Sequence, residues 1–208
     1  MVSISPEGSP EITGLGLISG QYIFTCAHYT KSLPLGLADT CLFMVRRVSD
    51  NVCGRFAMYL GTTMDFMVLG LNGIHCELED GPTSDSWPVL DIGEPETESI
   101  RPATIDFGDK TSGRLPGFCF APDGKTIYRV DLKVIRDRPE IVFTSKEAGK
   151  GCSGGPIFTE DFHLIGIYVA SCTATDGLIV NEKIGKRIDM CCPVFLQRQL
   201  DWDNVTVC

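Results

Sequence analysis

Short apolar or alternating segments, separated by polar turns, follow one another through the first half of the chain. Two of them lie in residues 12–27, on either side of a Ser-Gly turn, and others cover 41–48, 55–60 and 66–71. Apolar residues that recur with a period of two are typical of half-buried β-strands. None of these windows carries a helical stripe of useful length. The pattern therefore predicts a β-rich first half.

The second half repeats this pattern, with glycine, aspartate and proline turns between the segments. Residues 193–202 are the best helical candidate, because Pro193 can occupy the first turn of a helix. We therefore expect an all-β fold with a short C-terminal helix. The expected strands of this half cover 103–107, 115–121, 126–135, 140–144, 156–158, 163–170 and 177–184.

An acidic, proline-rich stretch separates the two halves. Residues 77–102 contain one apolar island, at 87–92, in a composition that is typical of a connection and not of a core element. We therefore predict four parts: an N-terminal β-unit over 1–80, a connection over 81–104, a C-terminal β-unit over 105–190 and a tail over 191–208.

The charge balance bears on the choice of partners. Lysine and arginine total 18 against 27 aspartates and glutamates, which gives a formal net charge of −9. Such a field repels polyanions. Nucleic acid is therefore not expected as a partner.

The ten cysteines raise the question of a secreted disulfide framework. Residues 1–20 lack the basic start and the apolar run of a secretory signal. No stretch approaches the ~18 apolar residues that cross a bilayer. We therefore expect mostly reduced, partly buried thiols in an intracellular protein, without direct membrane insertion.

The stretch GKGCSGGPIF, residues 149–158, places glycines around two adjacent candidate nucleophiles, Cys152 and Ser153. Clustered glycine marks a backbone that turns sharply or lies close to a ligand. A serine hydroxyl needs a base to take its proton, and the oxyanion formed on attack needs donors already aimed at it. A G-x-S-G-G turn can present the N–H groups of Gly151 and Ser153 together. In this register Ser153 is the nucleophile.

The base is expected to be a histidine, and His28 is the best placed, directly after an apolar strand. His75 and His163 are interpreted as structural residues. The third member must accept a hydrogen bond from the imidazole. Asp65, at the head of an apolar strand, fits this role, although taken alone it is better interpreted as a turn aspartate that caps the strand.

A T-x-A-H segment ending at His28, an aspartate-led strand at Asp65 and G-x-S-G-G-P from Gly151 occur in this order. Together they resemble the chymotrypsin-like (PA clan) serine peptidases over roughly residues 12–185. The resemblance implies two antiparallel six-stranded β-barrels packed face to face. His28 and Asp65 would lie on the first barrel and Ser153 on the second. It also implies an endopeptidase that forms an acyl-enzyme in the crevice between the barrels and needs no cofactor.

Two departures from the secreted members narrow the resemblance. Cys152 stands where zymogen-activated members carry an aspartate, and neither Tyr29 nor Gly149 is a disulfide cysteine. The chain is instead similar to the polyprotein-processing proteases of positive-strand RNA viruses, of the flavivirus-family or nidovirus-family type. This similarity implies a polypeptide substrate and a location in the host cytoplasm, as part of a polyprotein or released from one. It leaves open whether a viral cofactor segment completes the first barrel.

The resemblance also places the pocket for the residue before the scissile bond. One wall comprises Tyr168, Val169, Ala170 and Ser171 on the strand after the nucleophile. Tyr168 stands where relatives that cleave after glutamine or glutamate have a histidine, and it would shorten the pocket in favour of a small residue. Glu147, at the position where trypsin-like members bind lysine or arginine, favours a basic residue instead, unless it is a solvated loop carboxylate.

Three alternatives stay open at this level. Cys152 could replace Ser153 as a thiolate nucleophile, or the fold could be a catalytically silent binding module. A structural zinc could also form, but no C-x-x-C pair supports it, so no metal site is predicted. Its ligands would have to converge through the fold from Cys119, His163, Cys172, Cys191 and Cys192.

Overall fold

The computed structural model of the chain describes residues 1–6, 13–19, 22–28, 42–49, 53–70, 100–171 and 182–208. The connection predicted over 81–104 therefore lies mostly outside the described residues. The strands of the N-terminal part are β1 (Val2–Pro6), β2 (Gly14–Ser19), β3 (Tyr22–Cys26), β4 (Leu42–Arg47), β5 (Cys53–Thr63) and β6 (Phe66–Gly70).

These six strands are antiparallel and pair in the order β1–β2–β3–β6–β5–β4, with β4 returning to β1. Two strands change partner along their length. The first half of β2 pairs with β1 and its second half with β3, and β5 passes in the same way from β4 to β6. The ladders of this unit thus form two sheets that share β2 and β5.

The C-terminal part contains a closed barrel of six antiparallel strands in the order β10–β13–β12–β11–β8–β9. Burial alternates along β8, as the sequence pattern predicts for a strand with one face in the core. The prediction of a six-stranded barrel is confirmed for this part. Its strands are β8 (Ser112–Phe120), β9 (Ile127–Ile135), β10 (Glu140–Thr144), β11 (Pro156–Thr159), β12 (Leu164–Ser171) and β13 (Glu182–Arg187).

A short parallel pair and two helical turns lie outside the barrel. Strand β7 (Ala103–Asp106) pairs with β14 (Asp203–Thr206), so the end of the chain returns to the start of the C-terminal part. Helix α1 covers Ile188–Cys191, and helix α2 covers Val194–Gln197 with Pro193 at its N-cap. Neither helix of the described part is long or apolar enough to span a bilayer.

The described residues form two apolar clusters that hold this arrangement together. One lies inside the C-terminal barrel and includes Leu132 and Ile141. The other begins among Phe24 and Phe66 of the N-terminal strands and continues without a break into Ile167 of β12 and the two helices. Because burial of apolar side chains is the main favourable term in folding, the N-terminal strands are stabilised partly by their contact with the C-terminal part.

Candidate active site

Asp65 lies in a two-residue turn that joins β5 to β6. Thr63 pairs with Phe66 across this turn, and the two residues between them, Met64 and Asp65, have φ values of 57° and 71°. Positive φ at both central positions is what a type I′ hairpin turn requires. Aspartate accepts this conformation more readily than most residues do. The backbone strain therefore sits at the predicted catalytic acid.

The turn is fastened to the segment that carries His28. The Ala27 N–H donates to the Asp65 carbonyl oxygen at 2.9 Å, and His28 Nδ1 lies 3.0 Å from Asp65 Oδ2. An ionised carboxylate only accepts hydrogen bonds, so Nδ1 must carry the proton. In a neutral imidazole this leaves the lone pair on Nε2. That atom lies 3.6 Å from the Cys26 sulfur, and the His28 side chain is 30% exposed.

The Asp65 side chain is more buried than that of His28, because only 16% of it is exposed. Its second carboxylate oxygen, Oδ1, is buried and has no hydrogen-bond partner among the described residues. Burying a carboxylate is costly unless a partner compensates it. The bond to His28 supplies that compensation in the described part of the chain.

Ser153 follows a tight glycine turn. The Cys152 N–H donates to the Gly149 carbonyl oxygen at 3.1 Å, and Gly151, the third residue of this turn, has a φ of 92°. A positive φ at the third position is typical of a type II turn, for which glycine is the preferred residue. Among the described residues, no backbone carbonyl accepts the Gly151 N–H.

The segment after Ser153 packs against the N-terminal strands. Gly154 has a φ of 81°, and a Cβ atom there would clash with the Leu15 carbonyl oxygen and with Thr25 Oγ1. The Leu15 N–H donates to the Ser153 carbonyl oxygen at 2.7 Å, and Thr25 Oγ1 donates to the Leu15 carbonyl at 2.8 Å. These contacts hold the nucleophile turn against β2 and β3. Thr25, on β3, lies three residues before His28 in the sequence.

Strand β12 lies beside the same turn. The Gly154 N–H donates to the Tyr168 carbonyl at 2.8 Å, and the Tyr168 N–H donates to the Gly155 carbonyl at 2.7 Å. The Ser153 hydroxyl donates to the Val169 carbonyl at 3.3 Å. The wall expected from Tyr168 to Ser171 is therefore adjacent to the candidate nucleophile.

The polar groups of this wall form a chain. Tyr168 is buried, and its Oη lies 2.8 Å from the exposed Ser171 Oγ. Lys183, on the neighbouring strand β13, donates from Nζ to the same Ser171 Oγ at 3.0 Å. Sequence reasoning missed Lys183. A lysine inside the predicted strand 177–184 was the available signal, because a charged residue at an inward position of a strand is rarely buried without a role.

Glu147 has a different setting. Its side chain is exposed, and it accepts hydrogen bonds from Ser145 Oγ at 2.9 Å and from the Lys146 N–H at 3.2 Å. The bond from Ser145 is the main reason why the pKa of this carboxyl lies below its usual value. The interpretation as a solvated loop carboxylate accords with this geometry.

Cys152, the alternative nucleophile, points away from solvent. Only 1% of the residue is exposed, and it belongs to the core cluster of the C-terminal barrel. The Gly149 N–H donates to its sulfur at 3.5 Å. Burial raises the pKa of the Cys152 thiol. A buried, protonated thiol is a poor nucleophile.

The other candidate residues lie elsewhere or outside the described part. His163 Nε2 contacts Asp203 Oδ2 at 3.2 Å, and His75 and Cys172 are not among the described residues. Within those residues, no group of three histidine, cysteine, aspartate or glutamate side chains is arranged to hold a metal ion. Free thiols in the described part include those of Cys119, Cys152, Cys191, Cys192 and Cys208.

No protein-family model and no curated protein sequence matches the chain. Solved structures do match it over most of its length. A human pathogenic astrovirus serine protease aligns with a TM-score of 0.51 at 10% identity, covering 90% of this chain and 88% of the protease. Deg5 aligns with a TM-score of 0.53 at 17% identity, with 91% and 83% covered.

The MamO protease domain from Magnetospirillum magneticum gives a TM-score of 0.53 at 14% identity, and covers 96% of this chain and 95% of that domain. At such identities the likeness concerns the fold. The expected resemblance, based on His28, Asp65 and the Ser153 turn, thus agrees with the three-dimensional comparison. The chain has the fold of the chymotrypsin-like serine proteases.

Proposed function

We propose that this protein is a serine endopeptidase in which Ser153, His28 and Asp65 form the catalytic triad. The observation that carries the proposal is the 3.0 Å contact between His28 Nδ1 and Asp65 Oδ2 beside the Ser153 turn, on a chymotrypsin-like fold. In this proposal the N-terminal sheets act as the partner barrel of the closed C-terminal one. The substrate lies in the crevice between them.

The first half of the reaction forms an acyl-enzyme. Asp65 accepts the Nδ1 proton of His28 in a hydrogen bond, so Nε2 is the basic atom and takes the proton of the Ser153 hydroxyl. Ser153 Oγ attacks the scissile carbonyl carbon, and the carbonyl oxygen becomes an oxyanion. His28 then donates the proton from Nε2 to the leaving amine as the C–N bond breaks.

The second half releases the new carboxyl end. A water molecule gives its proton to His28 Nε2 and attacks the acyl carbon. The bond to Ser153 Oγ breaks, and Oγ takes the proton back from the imidazolium. Asp65 stays ionised throughout and stabilises the imidazolium in both halves.

The oxyanion is assigned to the N–H groups of Gly151 and Ser153. The positive φ of Gly151 and the lack of a backbone acceptor for its N–H among the described residues support this role. Donors fixed in advance stabilise the charge that develops in the transition state without a reorganisation cost. A side chain at position 151 would also approach Pro122 Cβ to 3.1 Å.

The burial of Cys152 favours Ser153 over the alternative nucleophile. A catalytically silent module is the less favoured class, because such a module has no need for a buried carboxylate held on an imidazole beside a serine turn. In the proposal, residues 1–80 carry His28 and Asp65, and residues 105–190 carry Ser153.

The natural substrate is assigned by similarity. One structural neighbour is described as an astrovirus serine protease, and Cys119, Cys152, Cys191, Cys192 and Cys208 carry free thiols. We propose that the chain processes a viral polyprotein in the host cytoplasm. A viral segment that adds to the N-terminal sheets would be a partner under this proposal.

Cleavage of a peptide library tests the proposed function. We expect the wild-type protein to cleave it, Ser153→Ala and His28→Ala to lose activity by at least about 10³-fold, and Cys152→Ala to retain most of it. Activity that depends on Cys152 and not on Ser153 would overturn the serine mechanism. A folded wild-type protein that cleaves no member of the library would favour the binding module.

A further inference from the structure

Lys183 is a buried cation without a counter-charge in the described part of the chain. Only 9% of the residue is exposed, and its backbone pairs with Ser171 on β12 and with Phe143 on β10. Among the described residues, the one acceptor of its side-chain ammonium is the neutral Ser171 hydroxyl, at 3.0 Å. No carboxylate of a described residue forms an ion pair with it.

The other basic residues of β13 each contact a carboxylate, and Lys183 has no such partner among the described residues. Lys186 Nζ contacts Glu140 Oε1 at 2.8 Å, and Arg187 contacts Asp189 Oδ2 at 2.7 Å. Burying a charge is costly unless it is paired. Lys183 is buried without an ion pair among the described residues, whereas Lys186 and Arg187 on the same strand are paired. A site for an anionic ligand accounts for the departure.

The Lys183 ammonium lies at the wall that faces the substrate in the proposed function. Ser171, to which it donates, is exposed, whereas Lys183 itself lies beneath the surface. The hydroxyl of Tyr168 approaches the same Ser171 oxygen to 2.8 Å. Burial raises the pKa of Tyr168, so this phenol stays protonated and can donate. Two donor groups, the Lys183 ammonium and the Tyr168 hydroxyl, therefore converge on the Ser171 hydroxyl oxygen.

Cys152 lies between the cluster of Lys183, Tyr168 and Ser171 and the candidate nucleophile Ser153. The residue precedes Ser153 in the chain, and the positive charge of Lys183 is close enough to oppose the rise that burial causes in the pKa of its thiol. The Tyr168 carbonyl accepts the N–H of Gly154, on the other side of Ser153. The cluster thus lies next to the nucleophile, on the side formed by β12 and β13.

We propose that Lys183, Tyr168 and Ser171 bind the carboxylate of the substrate residue before the scissile bond, so that the enzyme cleaves after glutamate or aspartate. This inference rests on the proposed function. An ammonium and two hydroxyl groups are matched to a carboxylate, and charge-assisted bonds are the strong ones. The geometry thereby assigns a different specificity from the small or basic residue that Tyr168 and Glu147 indicate in the sequence.

The carboxylate of Glu147 does not take the place of this ligand. It is exposed and engaged with the Ser145 hydroxyl and the Lys146 N–H. Lys183 is therefore the buried charge that selects the substrate, and Glu147 is a surface carboxylate in the loop before the nucleophile.

The test compares peptides that differ only in the residue before the scissile bond: glutamate, aspartate, glutamine, alanine and lysine. We expect the wild-type kcat/KM for glutamate to exceed that for the isosteric glutamine by roughly tenfold to a hundredfold. Lys183→Met should bring this ratio close to one. Lys183→Glu should reverse the preference in favour of lysine. Lys133→Met, an exposed lysine on β9, is the matched control and should keep the wild-type ratio.

The outcomes separate the two proposals. Reaction of Ser153 with a fluorophosphonate probe reports the catalytic machinery independently of specificity. A protein that is labelled and cleaves peptides, but shows no glutamate preference or keeps it in Lys183→Met, overturns the carboxylate site and leaves the protease intact. A folded protein with neither labelling nor cleavage overturns the proposed function, and the carboxylate site with it.

Discussion

The backbone N–H of Ala27 donates to the carbonyl oxygen of Asp65 at 2.9 Å. This bond ties the β5–β6 turn to the residue that precedes His28, so the carboxylate and the imidazole are positioned by one hydrogen-bonded unit. The position of the acid is therefore set by the backbone of the sheet, and its side chain has only to reach Nδ1.

Replacing Asp65 by asparagine should remove activity without unfolding the protein. The amide keeps the size of the side chain and the backbone bond to Ala27, but it can donate to Nδ1 and so favour the wrong tautomer of His28. We expect kcat/KM to fall by about 10³- to 10⁴-fold, with a small change in thermal midpoint. A variant that retains more than about a tenth of wild-type kcat/KM would show that Asp65 only caps the turn.

Gly154→Ala should be strongly destabilising. The new Cβ meets the Leu15 carbonyl oxygen and Thr25 Oγ1, and the residue must hold a φ of 81°. Strain of ~1–2 kcal/mol for the backbone and ~1–3 kcal/mol for overpacking predict a loss of roughly 2–5 kcal/mol, measured by urea denaturation.

Two glycines serve as controls for this prediction. Gly108 has a φ of 52° but open space around its Cβ position, so Gly108→Ala isolates the backbone strain. Gly149 has open space and no positive φ, so Gly149→Ala should be nearly neutral. Equal losses in all three variants would contradict the close contact between the nucleophile turn and the N-terminal strands.

Native thiol labelling should discriminate sharply between cysteines. Burial raises the pKa of Cys191 to about 11 and that of Cys192 to about 12, and it also raises the pKa of Cys152. Cys208 is exposed. At pH 8, iodoacetamide should therefore modify Cys208 within minutes and leave these three buried thiols intact until the protein is unfolded. Peptide mapping by mass spectrometry measures this, and early modification of Cys152 would contradict its burial.

Alkaline pH should lower the stability. In the native state the raised pKa values keep the thiols of Cys191 and Cys192 protonated, whereas the unfolded chain releases these protons near pH 9. The stabilising effect is thus fully present below about pH 8 and is lost as the pH rises through 9 towards 11, by about 1.4 kcal/mol per pH unit for each thiol. Urea denaturation at pH 8, 9 and 10 tests this, and Cys192→Ala should reduce the slope. A slope equal to that of wild type in this variant would contradict the assignment.

The pattern of apolar and polar residues predicted most of the strands. Alternation predicted β8 and β9 closely, because each has one face in the barrel core and one in solvent. It missed β1 and β14. The first begins at Val2, where a short strand is hard to distinguish from a chain end, and the second depends on pairing with β7, which is distant in sequence.

The helical candidate at 193–202 is confirmed only as a short helix. Helix α2 begins after Pro193 but ends at Gln197. Trp202 Nε1 then donates to the Gln197 carbonyl at 2.7 Å, which closes the turn and directs the chain into β14. The helix thus ends where a local side-chain contact closes the turn.

The candidate site likewise contains residues that the sequence predicted and one residue that it did not. His28, Asp65 and Ser153 are each marked by their neighbours in the sequence, so local motifs were enough to select them. Lys183 has no motif around it. Its proposed role in binding a carboxylate is inferred from two structural facts. The register of β12 and β13 places Lys183 opposite Ser171, and no acidic partner of Lys183 lies among the described residues. Such a site becomes visible only when the strands are paired.

Mapping of the adduct formed with a fluorophosphonate tests the central claim most directly. The phosphorus bonds to the activated serine oxygen and fluoride leaves, so the mass and position of the adduct identify the nucleophile. The account predicts a single adduct on Ser153 in the wild-type protein and in Cys152→Ala, and at least about a 10³-fold slower reaction in His28→Ala. An adduct on another residue, or labelling of Ser153 that does not depend on His28, would contradict the triad.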